Sequence, residues 1–176
     1  MNFEEKTISS EYVYKGKVID VKRDEVVISN GHPAEREVVE HTGGVVILAI
    51  KDGKVLTVRQ YRYPLGCVDV ELPAGKLERG EDPDFASKRE LREETGYIAK
   101  DWKSLGYIFT SPGFCDEKLY LYLAQNLEYD KLCPDEDEII EADEVTIEDL
   151  LKMVDNGIIN DSKTICAIMR AREYLK

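Results

Sequence analysis

A chain of 176 residues, 43% apolar and 34% charged, is long enough to bury one core without disulfides or a structural metal and has the composition of a soluble globular domain. No run approaches the roughly 18 consecutive apolar residues of a membrane span, and a formal net charge of −12 argues against nucleic acid, whose binding needs Lys and Arg to neutralise phosphates. Dense carboxylates also repel small phosphorylated ligands, so an acidic protein that processes one implies a divalent cation between the two.

The opening Met-Asn-Phe-Glu-Glu-Lys lacks the basic and then apolar pattern of a secretory signal, so a cytoplasmic location is the expectation. Cys67, Cys115, Cys133 and Cys166 are widely spaced, without a C-x-x-C pair or a His cluster, and read as reduced, mostly buried thiols. Residues 11 to 41 carry short β-rich runs, Val18 to Val21 and Glu25 to Ile28, before the turn signal Ser29-Asn30-Gly31-His32-Pro33, which together predict a small antiparallel unit. Gly43-Gly44 then leads into the apolar runs Val45 to Ile50 and Val55 to Tyr61. The Asp52-Gly53 dipeptide between them is a strong hairpin signal, so a mostly buried central sheet begins here.

From Asp82 the pattern becomes helical, with Asp82 as N-cap, Pro83 at the first helical position and Gly96 just past the end, which predicts a helix over 83–95. Strands are expected at 103–110 and 117–124 around the Ser111-Pro112-Gly113 turn. The segment from Asp135 to Asp149 is acidic, yet its interspersed Ile139, Ile140, Val145 and Ile147 suit a strand in part. Thr146 and Asp149 form a capping-box-like start to a helix ending near Asn156-Gly157. A last helix is expected from Ser162 to Tyr174 with Ile165, Ile168, Met169 and Leu175 on one side.

The chemistry lies between Gly75 and Tyr97: Gly75, then Glu81 after five residues, Arg89-Glu90-Leu91 after seven more, Glu93-Glu94 and Gly96. Seven fixed identities and one apolar position at these offsets occur by chance at on the order of one in a billion starting points. On a helix Glu90 and Glu94 are stacked one turn apart with Glu93 beside them, and Arg89 reaches Glu93 at i+4. Like charges so spaced weaken a bare helix and suit one that holds a hard divalent cation by its oxygens. A solvated helix face is the bland alternative for the three glutamates alone; Gly75, Glu81, Arg89 and Gly96 at fixed offsets argue against it.

This stretch resembles the box of the Nudix hydrolases. The resemblance implies an α/β fold, an α/β/α sandwich with a mixed central sheet, here with the small antiparallel β unit at the N-terminus. It implies cleavage of a nucleoside diphosphate linked to another moiety. By the same resemblance Glu90, Glu94 and the backbone carbonyl of Ala74 are metal ligands, with Glu93 and Arg89 serving catalysis beside them. Tyr97 departs from the usual aliphatic residue at the last box position, a packing contact. Pro112, 16 residues beyond Gly96, together with Arg36 to His41, Arg59-Gln60-Tyr61-Arg62, Glu71 to Gly75, Ser111 to Phe114 and Asp161 to Thr164, is similar to the ADP-ribose pyrophosphatase branch.

That branch implies hydrolysis of ADP-ribose to AMP and ribose 5-phosphate with two or three Mg²⁺ ions, for which Mn²⁺ substitutes. It implies contacts of Arg62 and Arg36 with the phosphates or ribose, Arg36 coming from the partner in a homodimer. Glu117 would line the pocket, Glu136 would be the general base on a mobile acidic loop, and Glu138 an additional metal ligand. Tyr12 or Tyr14, with Tyr14 preferred, would stack on the adenine, packing within an alternating segment being the other reading. His32, His41 and Trp102 read as structural. The domain division expected is 1–41, a β unit exchanged between subunits, and 42–176, the hydrolase domain, with no nucleic acid or membrane partner. Alternatives are a pyrophosphatase for another nucleotide sugar, GDP-mannose or another ADP-sugar, and a non-catalytic sensor of such a ligand.

Overall fold

The computed structural model describes residues 2–131 and 139–175. The chain forms two units, one from Met1–Gly43 and Phe109–Lys118, the other from Gly44–Ile108 and Leu119–Lys176.

In the first unit β1 (Lys6–Lys15), β2 (Ile19–Val27) and β3 (Pro33–His41) make an antiparallel sheet in that order. The apolar pattern starts near residue 11, but the strand starts at Lys6. Its polar residues are satisfied across the ladder, Ser9 and Ser10 donating to Glu25 and Asp24. The charged stretch from Lys22 to Asp24 likewise continues β2 without a break, because Lys22 pairs with Glu40 at 2.9 Å and Arg23 with Glu11 at 2.9 Å. Cross-strand charge pairs replace apolar alternation as the local signal. The Ser111-Pro112-Gly113 turn is closed by Phe114 and Cys115 N–H groups donating to the Ser111 carbonyl, and Val39 N–H donates to Phe114 O at 2.7 Å.

In the second unit a mixed sheet runs β10 (Ile140–Thr146), β5 (Lys54–Arg62), β4 (Gly44–Lys51), β9 (Lys118–Tyr129), β8 (Tyr97–Phe109), with β6 (Cys67–Glu71) beside β5 and β7 (Ala74–Lys76) beside β4. The β4–β9 pair is parallel; β4–β5, β4–β7, β5–β6 and β5–β10 are antiparallel. The Asp52-Gly53 hairpin has φ of 49° and 77° at its two central residues, the left-handed pair that a two-residue type I′ turn requires.

Val45 to Ala49 are fully buried because both faces of β4 are covered, which is why the strand is a continuous apolar run rather than an alternating one. Val46 and Leu48, with Leu121 and Leu123 of β9, pack against Leu150 of α2 (Ile147–Asp155) and Ala167, Ile168 and Ala171 of α3 (Ser162–Ala171). Val45, Ile47 and Ala49, with Tyr122 and Ala124, pack against Ala86 and Leu91 of α1 (Pro83–Thr95). Period-two alternation thus sorts residues between two helical layers, the expected α/β/α sandwich.

Several boundaries differ from those expected. Strands β8 and β9 are longer, 97–109 and 118–129. The last helix stops at Ala171, and Met169 is 56% exposed; the buried stripe is Thr164, Ala167, Ile168 and Ala171. Asp161 caps this helix by accepting from Thr164 N–H, which sets its phase. Of the four cysteines expected to be mostly buried, Cys67 is exposed, Cys115 and Cys166 are half-buried, and Cys133 lies outside the described residues. Among the described residues no helix is long and apolar enough to cross a membrane.

Candidate active site

Helix α1 is fixed at both ends by its own sequence. The Asp82 carboxylate accepts from the Asp84 and Phe85 N–H groups at 2.8 and 3.2 Å, and Gly96, at φ 77°, ends the helix with its N–H on the Arg92 carbonyl. Tyr122 of β9 donates to Asp84 at 2.5 Å and ties the first turn to the sheet. The buried stripe that results is Ala86, Ser87, Glu90, Leu91, Glu94 and Thr95. Two glutamates therefore lie where the helix faces the protein, with Glu90 8% and Glu94 5% exposed. Buried carboxylates are costly unless their charge is matched, so their place on this stripe signals function rather than solubility.

Each glutamate meets the segment 71–75. Glu94 Oε2 accepts from the Ala74 N–H at 3.0 Å. The Glu90 carboxylate occupies the space where a side chain on residue 75 would begin: a Cβ there would lie 1.9 Å from its Cδ. Gly75 is thus a cradle for a carboxylate.

Arg89 is the hub of the remaining charges. Its Nε and Nη2 donate to both oxygens of Glu81 at 3.0 and 3.1 Å, and its Nη1 lies 2.7 Å from Glu93 Oε2 and 2.8 Å from Glu90 Oε1. Burial would loosen the guanidinium proton, but Glu81, Glu90 and Glu93 outweigh it and raise the Arg89 pKa. Glu81 also accepts from the Glu78 N–H at 2.9 Å, so one carboxylate shapes the loop and anchors the arginine. The sequence marks Glu81 only as a box position; this double duty is visible in three dimensions alone.

Hydrogen bonding to Arg89, opposed by partial burial, holds the Glu81 carboxyl below its ordinary value of 4.5. A depressed folded pKa contributes stability that is present above the ordinary value and lost as pH falls through the lower, folded one. The wild-type chain is therefore expected to lose thermal stability on acidification below about pH 4.5 more steeply than Glu81→Gln. Unfolding temperatures for both, measured at several pH values, check this; parallel curves would deny Glu81 that role.

Arg89 meets Glu81, Glu90 and Glu93, and Glu94 lies one helical turn from Glu90, so carboxylate oxygens gather on this face of α1, a donor set that suits a hard divalent cation. Among the described residues no three His, Cys, Asp or Glu side chains converge as a ligand set. The side-chain anchors available are Glu90 and Glu94, with the Ala74 carbonyl on the segment they grip. Glu136 and Glu138, the expected base and additional ligand, lie outside the described residues.

Arg62 closes the second unit's constellation. It donates from Nε and Nη2 to Glu71 at 2.7 and 2.8 Å, while Lys163 bonds the same carboxylate, which is fully buried. Burial would lower the Arg62 pKa; the bond and charge of Glu71, then the charges of Glu94 and Asp161, raise it instead. Spacing alone gives Glu71 and Lys163 no role, although both lie in the segments Glu71 to Gly75 and Asp161 to Thr164 that carry the resemblance.

Arg36, Glu117 and Tyr14 belong to the first unit. Arg36 on β3 makes a two-pronged bond to Glu5 at 2.9 and 2.7 Å, beside a groove of about 420 Å³ lined by both residues and by Phe109, Pro112, Phe114 and Asp116. Glu117 lies 3.4 Å from His41 Nδ1, which accepts from the Gly43 N–H. The Tyr14 ring is 56% exposed, whereas the Tyr12 hydroxyl donates to Glu40 at 2.8 Å and Lys15 lies over the Tyr12 ring.

The chain matches the NUDIX domain family model over residues 34–167 and the nucleoside diphosphate sugar hydrolase N-terminal domain over residues 5–39. It is 47% identical over 170 residues to an ADP-ribose pyrophosphatase of Bacillus subtilis (strain 168), covering 95% of this chain and 92% of that protein. It is 42% identical to a methanol dehydrogenase activator of Bacillus methanolicus, covering 99% of this chain and 97% of that one. A crystal structure of an ADP compounds hydrolase superposes with a TM-score of 0.87 over 99% of this chain and 96% of its own, at 23% identity, a likeness of fold. Box, fold and matched residues agree: the chain belongs to the Nudix family and is a Nudix hydrolase.

Proposed function

We propose that this chain hydrolyses the diphosphate of ADP-ribose to AMP and ribose 5-phosphate. The observation that carries the reading is the pairing of Glu90 with Gly75 and of Glu94 with Ala74, in a chain whose Bacillus subtilis relative is named for that activity. Nudix hydrolases need a divalent metal ion. Here Glu90, Glu94, the Ala74 carbonyl and Glu138 would hold two or three Mg²⁺ ions, with Mn²⁺ as a substitute. When bound, such ions neutralise phosphate charge, polarise a phosphoryl oxygen and lower the pKa of a water.

The remaining work falls to protein groups. Arg89 keeps Glu90 and Glu93 oriented. Arg62 and Arg36 take the diphosphate charge, Arg36 coming from the partner in a homodimer whose N-terminal β units, residues 1–41, exchange against hydrolase domains at 42–176. Tyr14 stacks on adenine and Glu117 lines the pocket. Glu136 accepts the proton of the attacking water as an O–P bond forms and the bridging P–O bond breaks. A cytoplasmic setting suits such a substrate.

Purified protein with ADP-ribose and Mg²⁺ is expected to release AMP. Cleavage of GDP-mannose or another ADP-sugar without AMP from ADP-ribose would overturn the substrate; binding without turnover would make the chain a sensor. The Bacillus methanolicus relative's name favours a second reading, activation of a dehydrogenase. A methanol dehydrogenase assayed with and without the chain separates the two, an unchanged rate leaving hydrolysis alone.

A further inference from the structure

We infer that Lys163 is a positioning residue that keeps Arg62 available to the substrate diphosphate, acting through the buried carboxylate of Glu71. The role rests on Arg62 meeting that diphosphate, as proposed above. Glu71 is fully buried and takes three bonds from two cations: two from Arg62, at 2.7 and 2.8 Å, and one from Lys163. Lys163 in turn lies 3.0 Å from Asp161. The bonded groups differ in access: the Arg62 side chain is 35% exposed, Lys163 16% and Glu71 not at all.

The geometry that brings them together is built from α3. Asp161 caps the helix through Thr164 N–H, and the Thr164 hydroxyl accepts from Leu72 N–H at 2.9 Å, 92 residues away in sequence. The first turn of α3 is thereby clamped to the residue next to Glu71, with Lys163 on its carboxylate. Beyond it, Pro73 O accepts from Ile47 N–H and Ala74 N–H donates to Glu94, so the segment 71–75 is held residue by residue.

A buried carboxylate with only one cation draws that cation in, because an unmatched buried charge is strongly unfavourable. With Lys163 present, Glu71 is satisfied twice over and the outward edge of Arg62 keeps its positive potential. Without it, Arg62 alone answers Glu71, with the charges of Glu94 and Asp161 also acting on it, and little attraction for a diphosphate remains at Arg62. The consequence is a loss of ground-state binding of the anion, distinct from a loss of chemistry.

The test is steady-state kinetics on the full chain with ADP-ribose and saturating Mg²⁺. Lys163→Met is expected to raise KM about tenfold while kcat stays within about threefold, and Lys163→Arg to restore KM to within about twofold. Arg62→Ala is expected to raise KM at least as much, and adding Lys163→Met to it is expected to change KM by less than about twofold, because the lysine acts through the arginine. If the Met variant does not fold, Lys163→Gln takes its place. An unchanged KM in the neutral variant, effects that multiply in the double variant, or kcat and KM moving only with the folded fraction would overturn the positioning role. An unchanged KM in Arg62→Ala would instead overturn the phosphate role of Arg62 beneath it.

Discussion

Glu94→Gln is expected to lower kcat about a thousandfold at Mg²⁺ concentrations that saturate the wild type, with the unfolding temperature nearly unchanged. The two halves of this result have separate origins. The Glu94 side chain is 5% exposed and its Oε2 accepts from Ala74 N–H at 3.0 Å. Glutamine has the same shape and can offer its carbonyl oxygen to that N–H, so the contact between α1 and the segment 71–75 survives. What changes is the other half of the carboxylate. An amide nitrogen stands where an anionic oxygen was, and it cannot ligate a hard cation. Metal-borne stabilisation of a phosphoryl transition state is worth several kcal/mol, and about 4 kcal/mol is a thousandfold in rate. Turnover against metal concentration, with unfolding curves for both proteins, measures it. Near-normal turnover of the variant at low Mg²⁺ would remove Glu94 from the proposed ligand set.

The parts of the site that are legible in sequence are those built by local spacing. Asp82, Pro83 and Gly96 bound α1 at the residues where the helix starts and stops, and Glu90 and Glu94 follow onto one face from the helical repeat. The Asp52-Gly53 hairpin is legible for the same reason. What spacing cannot carry is a partner chosen across the fold. Glu71 meets Lys163, and Leu72 meets Thr164, through bonds that span 92 residues. Nothing in the period of β6 or α3 foretells them. In sequence Arg62 reads as a charge for the substrate; the structure adds that a buried glutamate takes two of its five N–H donors. The exposure of Met169 has a related cause. Apolar residues of α3 fit more than one helical phase, and the Asp161 cap with the Thr164 clamp selects the phase in which Thr164 is buried.

Gly75→Ala is expected to abolish most activity while leaving the fold in place, and the reason lies in what the added methyl meets. A Cβ at residue 75 would lie 1.9 Å from Cδ and Oε1 of Glu90 and 2.3 Å from Oε2, closer than nonbonded atoms can come. The three nearest atoms all belong to the end of one side chain, and the Gly75 backbone does not occupy the left-handed region that would itself refuse alanine. The strain is therefore relieved by swinging the Glu90 carboxylate out of its cradle rather than by moving strand β7. Arg89 loses one partner and keeps Glu81 and Glu93. Overpacking of this kind costs about 1–3 kcal/mol, a few degrees in Tm. Displacing an anionic oxygen from the proposed divalent site is expected to cost kcat/KM about a thousandfold on the same scale as above. Glu90→Ala should match it, and the double variant Gly75→Ala with Glu90→Ala should be no worse than either alone, because both changes remove the same carboxylate from the same place. Thermal unfolding with kcat/KM for the three variants decides the matter. A folded Gly75→Ala protein with wild-type turnover would mean that hydrolysis does not need Glu90 where the structure puts it.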